Sequence, residues 1–330
     1  MSIPRLPAYL EGRVSGAAKR FSLDTERTLR IGRSDKNDIV LTDDLASRNH
    51  AMLQQSGDGS VYVTDLGSSN GTFVNGSRVA APVILRSGDR VRIGNHEFLF
   101  HQDLSPDVAQ EDVDELQSTN IFLAQSLITV LVADIRDFTG LCRRVDAETI
   151  SKMTGKLFRD AGRVLQARGA WAQKYIGDAI MAVWLHKGRE PELEEFVAVF
   201  DALTRLTELV DGLQAHFDLE APVRIGIGIN SGWASVGNVG SIAASDYTAL
   251  GDVVNKTFRL ESATKEIPCD MAIGQDAHDF LKRFMDTGAA LEPRTVRLKG
   301  YDEPATAYVA KLPSLPAVLR IMNRSLDTKT

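Results

Sequence analysis

The chain has 330 residues, of which 43% are apolar, enough for two hydrophobic cores. Its 38 Lys and Arg against 44 Asp and Glu give a net charge of −6 with no long basic run, which argues against nucleic acid or an anionic membrane surface as partner. Only Cys142 and Cys269 occur, too few for a disulfide framework, and no apolar run reaches the roughly 20 residues that span a bilayer, nor is there an apolar signal core, so a soluble, cytoplasmic protein with two packing cysteines is expected.

From Leu29 to Phe100, short alternating runs at 60–64, 79–85 and 89–94 are separated by Gly59, Gly67, Gly71, Gly76 and Gly88, a pattern that predicts an all-β sandwich. Polar residues gather in its loops: Arg33 after a strand, Ser47-Arg48-Asn49-His50, and Ser69-Asn70 with Asn75 beyond. Guanidinium and hydroxyl donors suit a phosphate dianion, and an asparagine side chain suits a peptide main chain. His50, Gly32 and Asn75 read as supports of loop geometry.

Residues 102–126 form an acidic linker opened by Ser105-Pro106. Val108, Val113 and Leu116 permit a short helix, while the acidity equally suits a solvated tether. Next come a strand over 126–132 leading to Asp134, a helix through Ile150, Met153, Leu157, Ala161 and Val164, and a strand pair over 171–175 and 179–184 with Asp178 between them. A helix follows with Phe196, Val199, Phe200, Leu203, Leu206 and Val210 at helical spacing, then a buried strand over 222–230 and a helix over 253–264. Strands interleaved with helices indicate an α+β sheet domain. Two carboxylates at strand ends suit hard divalent ions, though a cap or hairpin turn is the commoner fate of a single Asp. Asn255 and Arg259, at i and i+4, share a helix face on which an amide and a guanidinium suit phosphate.

The stretches Leu131–Phe138, Lys174–Ile180 and Tyr247–Glu261, in this order, resemble the catalytic domain of class III nucleotide cyclases, over about residues 127–312. The loop residues of the first domain resemble a forkhead-associated (FHA) domain, a phosphothreonine-peptide reader, over about residues 10–101. The resemblance implies an FHA domain at 1–101, a linker at 102–126, a cyclase domain with a ferredoxin-like core at 127–312 and a tail at 313–330. It further implies that Asp134, Asp178 and the Ile135 carbonyl hold two Mg2+ or Mn2+ ions per site. Asn255 and Arg259 orient the ribose and stabilise charge on the α-phosphate, and Lys299 reaches the terminal phosphates. Lys174 and Thr248 face the base. In the first domain Arg33, Ser47, Arg48 and Ser69 contact the phosphothreonine and Asn70 its main chain.

Lys174 and a hydroxyl suit adenine, so ATP is the expected substrate. Thr248 departs from the commoner Asp and resembles a bacterial subset with Thr or Ser, and Lys256-Thr257 stand where small apolar residues are usual. Because the family divides these residues between two protomers, a homodimer is implied. The phosphorylated partner is another protein or the chain's own linker, where Ser118 and Thr119 offer hydroxyls. Two alternatives remain: a guanylate cyclase, and a non-catalytic phosphothreonine-binding scaffold.

Overall fold

The computed structural model describes residues 7–23, 28–35, 37–55, 59–66, 68–79, 82–102, 122–186, 190–241, 244–288 and 290–327. Most of the linker, with Ser118 and Thr119, lies outside them. The described residues fall into two compact units, one up to Ser126 with Ser235–Leu250, the other within Leu127–His186, Glu190–Ala234 and Gly251–Thr330.

The first unit opens with β1 (Ala8–Val14), β2 (Ala17–Leu23), β3 (Leu29–Gly32), β4 (Ile39–Val40), β5 (Ala51–Gln55) and β6 (Val61–Asp65). It continues with β7 (Thr72–Val74), β8 (Ser77–Arg78), β9 (Val83–Leu85), β10 (Arg90–Ile93) and β11 (His96–Gln102). They build two sheets, β2-β1-β11-β10-β7-β8 and β4-β3-β5-β6-β9. Alternation puts Leu10, Ile31, Leu53, Val63, Phe98 and Phe100 into one fully buried core, so the sandwich is the period-2 pattern realised. Strands β1 and β2 precede the alternating runs read from Leu29 and fall within the expected 1–101 span.

The later elements are β12 (Phe122–Ile135), α1 (Phe138–Arg144), α2 (Ala147–Ala167), β13 (Ala172–Ile176), β14 (Ala179–Leu185), α3 (Leu193–Asp211) and α4 (Leu213–His216). After them come β15 (Ile225–Ser241), β16 (Ala244–Leu250), α5 (Asp252–Ala263), β17 (Met271–Gly274), α6 (Gln275–Leu281), β18 (Glu292–Val296), β19 (Ala305–Ala310) and α7 (Leu315–Asp327). One sheet runs β13-β14-β12-β15-β17-β19-β18, with β16 paired to β15. Alternation sorts its two faces. On β17, Met271 and Ile273 enter the core shared with Leu157 and Leu165 of α2 and with Phe196 and Phe200 of α3, while Ala272 joins Leu260 and Ala263 of α5 on the other side. The Asp146 carboxylate caps α2 by accepting the Thr149 N–H at 2.9 Å.

Strand β15 reads Ile-Gly-Ile-Gly-Ile from Ile225, and the two residue types divide the work. The isoleucines are buried in the α2–α3 core. A Cβ on Gly228 would stand 2.3 Å from the Thr257 carbonyl oxygen, and one on Gly226 would stand 2.8 Å from Glu261 Oε1, so only glycine lets α5 lie this close to the strand.

Residues 313–330, set apart as a tail by sequence, contain α7, whose Leu315, Val318 and Met322 are buried in the main core. Cys269 is buried but Cys142 is exposed, which corrects the expectation that both are packing residues: the α1 face carrying Cys142 meets no core. Among the described residues no helix is long and apolar enough to cross a membrane.

Candidate functional site

Three loops of the sandwich converge. Arg33 N–H donates to the Ser47 carbonyl at 2.9 Å and Ser34 N–H to the Arg48 carbonyl at 3.1 Å, which fixes the end of β3 against the loop before β5. The third loop joins them where Ser69 N–H donates to Ser47 Oγ at 3.1 Å and Asn70 Nδ2 to the Leu45 carbonyl at 2.9 Å. Ser47 Oγ therefore accepts and keeps its proton to donate outward. Asn70 keeps its carbonyl oxygen. Arg33, Arg48, Ser69 and Asn70 are exposed and Ser47 half-buried, so all five predicted residues stand on one loop cluster open to solvent. The Arg33 guanidinium pairs with Asp44 at 2.7 Å.

Beneath the cluster, buried His50 takes Ser47 N–H on Nδ1 at 2.9 Å and reaches the Gly71 carbonyl with Nε2 at 3.2 Å. Nδ1 accepts, so Nε2 carries the proton. The Asp65 carboxylate ties the next loop, accepting from Ser68 N–H, Thr72 N–H and the Ser68 and Thr72 hydroxyls between 2.6 and 2.9 Å.

In the second unit the register sets the acidic pair. Asp134, next to last in β12, lies opposite Ala179, the first residue of β14. Ile176 pairs with Ala179, leaving Gly177-Asp178 as a two-residue turn whose Gly177 has φ of +63°, as a II′ turn requires at its first central position. Asp178 is thus a hairpin-turn residue and also the neighbour of Asp134. Burial, then the Asp134 charge, pushes its carboxyl above the ordinary Asp range. Two carboxylates this close call for a cation. They fit a hard divalent ion by donor type, and Lys265 Nζ, 2.7 Å from Asp134 Oδ2, meets part of the demand. Among the described residues no set of three or more His, Cys, Asp or Glu side chains is grouped to hold a metal. Ile135 follows with its side chain buried.

The remaining predicted residues sit elsewhere. Asn255 and Arg259 are exposed on α5, across the helix from buried Val253, Thr257, Leu260 and Glu261. Lys174 is half-buried on β13 opposite Met181, and Thr248 half-buried on β16 opposite Gly237. Lys299 is exposed in the turn after β18. Among the described residues no hydrogen bond or ion pair joins Asp134 or Asp178 to Asn255, Arg259 or Lys299.

The sequence reading missed two groups. Lys265 and Glu261 approach Asp134, and their i, i+4 spacing was the available signal. Asp252 accepts from the Tyr301 hydroxyl at 2.5 Å and pairs with Lys256 at 2.8 Å, which ties the start of α5 to the turn bearing Lys299. Burial, then that bond to Asp252, pushes the Tyr301 hydroxyl up to about 12. Lys256, unusual against the family pattern, serves this cluster.

Residues 29–94 match the FHA domain model and residues 124–311 the model for the adenylate and guanylate cyclase catalytic domain. An adenylate cyclase of Anabaena cylindrica is 28% identical over 184 residues, covering 56% of this chain and 36% of that protein. FhaB of Mycobacterium tuberculosis, an FHA domain-containing protein, is 45% identical over 84 residues, covering 26% of this chain and 52% of its own. The crystal structure of the adenylyl cyclase CyaB from P. aeruginosa aligns with a TM-score of 0.47 at 24% identity, over 57% of this chain and 94% of that one. The chain thus spans about a third to a half of the length of these two curated relatives.

Proposed function

This chain belongs to the adenylate and guanylate cyclase catalytic-domain family, and we propose that it is an adenylate cyclase governed by its FHA domain, working as a homodimer with two shared sites. The observation that carries the reading is the orientation of Asn255 and Arg259 on α5, opposed to that of Glu261 and of Lys265 just beyond the helix. Glu261 shares with Lys265 the side of the helix turned to Asp134, the charge of which bears on it. Arg259, two residues earlier, is turned from it by about 200° at 3.6 residues per turn. Asn255 and Arg259 of one chain therefore face away from that chain's own aspartates. They are free to serve the aspartates of a second copy, which makes the interface isologous, with two equivalent sites related by the two-fold axis.

In the proposed reaction the ribose 3′-oxygen of ATP attacks the α-phosphorus, the bond to the bridging oxygen breaks, pyrophosphate leaves and the 3′-hydroxyl proton passes to water. Asp134, Asp178 and the Ile135 carbonyl would hold Mg2+ or Mn2+, which when bound supplies charge to activate the attacking oxygen and neutralise the triphosphate. Arg259 meets charge developing on the α-phosphate, Asn255 orients the ribose and Lys299 meets the terminal phosphates. Lys174 donates to an adenine ring nitrogen, with the Thr248 hydroxyl at the exocyclic amine. In the FHA domain Arg33, Arg48, Ser47 and Ser69 receive a phosphothreonine whose main chain Asn70 holds. That binding biases the arrangement of the catalytic halves.

The test is product formation by the full chain from ATP and from GTP, with Mg2+ or Mn2+, with and without a phosphothreonine peptide. ATP is turned over faster, the peptide changes the rate, and Asp134→Asn or Asp178→Asn lowers kcat on the order of 10²-fold or more, as loss of a group that stabilises transition-state charge does. Equal or faster GTP turnover overturns the substrate assignment, and undiminished rates in the Asn variants overturn the site.

A further inference from the structure

Lys265 lies just past the end of α5 and has no part in the chemistry above. Its Nζ stands 2.7 Å from Asp134 Oδ2 and 3.6 Å from Glu261 Oε1. Glu261 is an unusual acceptor: its side chain is 4% exposed, and Oε1 has no hydrogen-bond partner among the described residues. Arg136, the other cation nearby, donates instead to Thr264 Oγ1 at 2.7 Å and to the Cys269 carbonyl at 3.1 Å. Three carboxylates, Asp134, Asp178 and Glu261, thus gather about one ammonium, which hydrogen-bonds the first and stands near the third, while the Arg136 charge also bears on Glu261. A buried carboxylate oxygen without a hydrogen bond is costly, which favours a closer approach of the ammonium already 3.6 Å from it.

We infer that Lys265 is a resident counter-cation of the metal site, holding Asp134 while no metal is bound and moving to the waiting Glu261 oxygen when a divalent ion takes Asp134. This rests on the reading of Asp134 and Asp178 as metal ligands. The ammonium competes with the incoming ion for the same carboxylate, which lowers affinity for free metal. Glu261 relieves the competition by receiving the displaced charge.

The experiment is Mn2+ binding to the full-length protein without nucleotide, read from the electron paramagnetic resonance of free Mn2+. Lys265→Met binds Mn2+ about tenfold more tightly than the unsubstituted protein, because a charge competing for the ligand is gone. Lys265→Gln, a second neutral variant, does the same and covers poor folding of the first. Glu261→Gln weakens binding when Lys265 is present and much less in the Lys265→Met background, since the transfer it blocks no longer occurs. Unchanged or weaker binding by both Lys265 variants, with binding still abolished by Asp134→Asn, overturns the counter-cation and leaves the metal site standing. Equal weakening by Glu261→Gln in both backgrounds overturns the transfer. Tight binding that survives Asp134→Asn in the Lys265→Met background removes the metal site itself, and the inference with it.

Discussion

His50 holds the converging loops of the sandwich through a hydrogen-bond pattern that only a neutral ring satisfies, because Nδ1 must accept the Ser47 N–H while Nε2 donates to Gly71. A second ring proton would point at the Ser47 amide. Burial accordingly pushes the His50 pKa below its ordinary value, and the Gly71 bond and the Asp65 charge oppose this only in part. The sign follows from linkage: the unfolded chain takes up a proton near pH 6.5, the folded one only at lower pH, so stability present at neutral pH is lost as pH falls through that window. Hydrogen exchange of the β5 and β6 amides should therefore report an opening free energy that drops between pH 7.5 and 5.5 by at most about 1.4 kcal/mol per pH unit. His50→Gln, which cannot titrate, should flatten that slope. An equally steep slope in the variant would show that another group sets it.

At the scale of elements the strongest contrast is α7. Its apolar positions Leu315, Val318 and Met322 are fully or nearly buried and pack with α3, so this helix helps cover the sheet that carries Asp134. Met322→Ala should cost about 2–5 kcal/mol in urea denaturation followed by tryptophan fluorescence, the usual penalty of emptying a core site. A loose tail would give no change. The sequence conceals α7 behind Pro313 and Pro316, which read as breakers although prolines suit a helix's first turn. Helices α2, α3 and α5 were legible from period alone, as was the Ile-Gly-Ile-Gly-Ile strand. Asp134 near the end of an apolar strand and Asp178 at a turn between strands were the placements the sequence offered, and the structure brings the two carboxylates together. Their partner Lys265 was not legible, since it meets Asp134 across 131 residues of sequence and only because Gly226 and Gly228 let α5 descend onto β15. The role of Lys256 was hidden for the same reason: Tyr301, to which Asp252 binds it, arrives from a distant turn.

For the whole molecule, the question is whether one chain suffices. Ile176 and Trp233 are large apolar side chains with 51% of their surface in water, which a second copy of the chain would cover. Asn255 and Arg259 face away from the aspartates of their own chain, and in the proposed dimer a second copy would bring the two sets together. The consequence is complementation. Asp134→Ala leaves a chain with an intact Asn255–Arg259 pair, and Arg259→Ala leaves one with intact aspartates, so each homodimer carries two broken sites. A mixed dimer places both defects in one of its sites and neither in the other. If subunits associate at random, half of the dimers in an equimolar mixture are mixed and each has one working site, so activity should return to about a quarter of the unsubstituted level at equal total protein. Activity per chain should also fall on dilution, as the equilibrium shifts to monomers that lack a complete site. A mixture as inactive as its components, at concentrations where sedimentation shows dimers, would mean that each chain builds its site alone and that the exposed apolar side chains serve another contact.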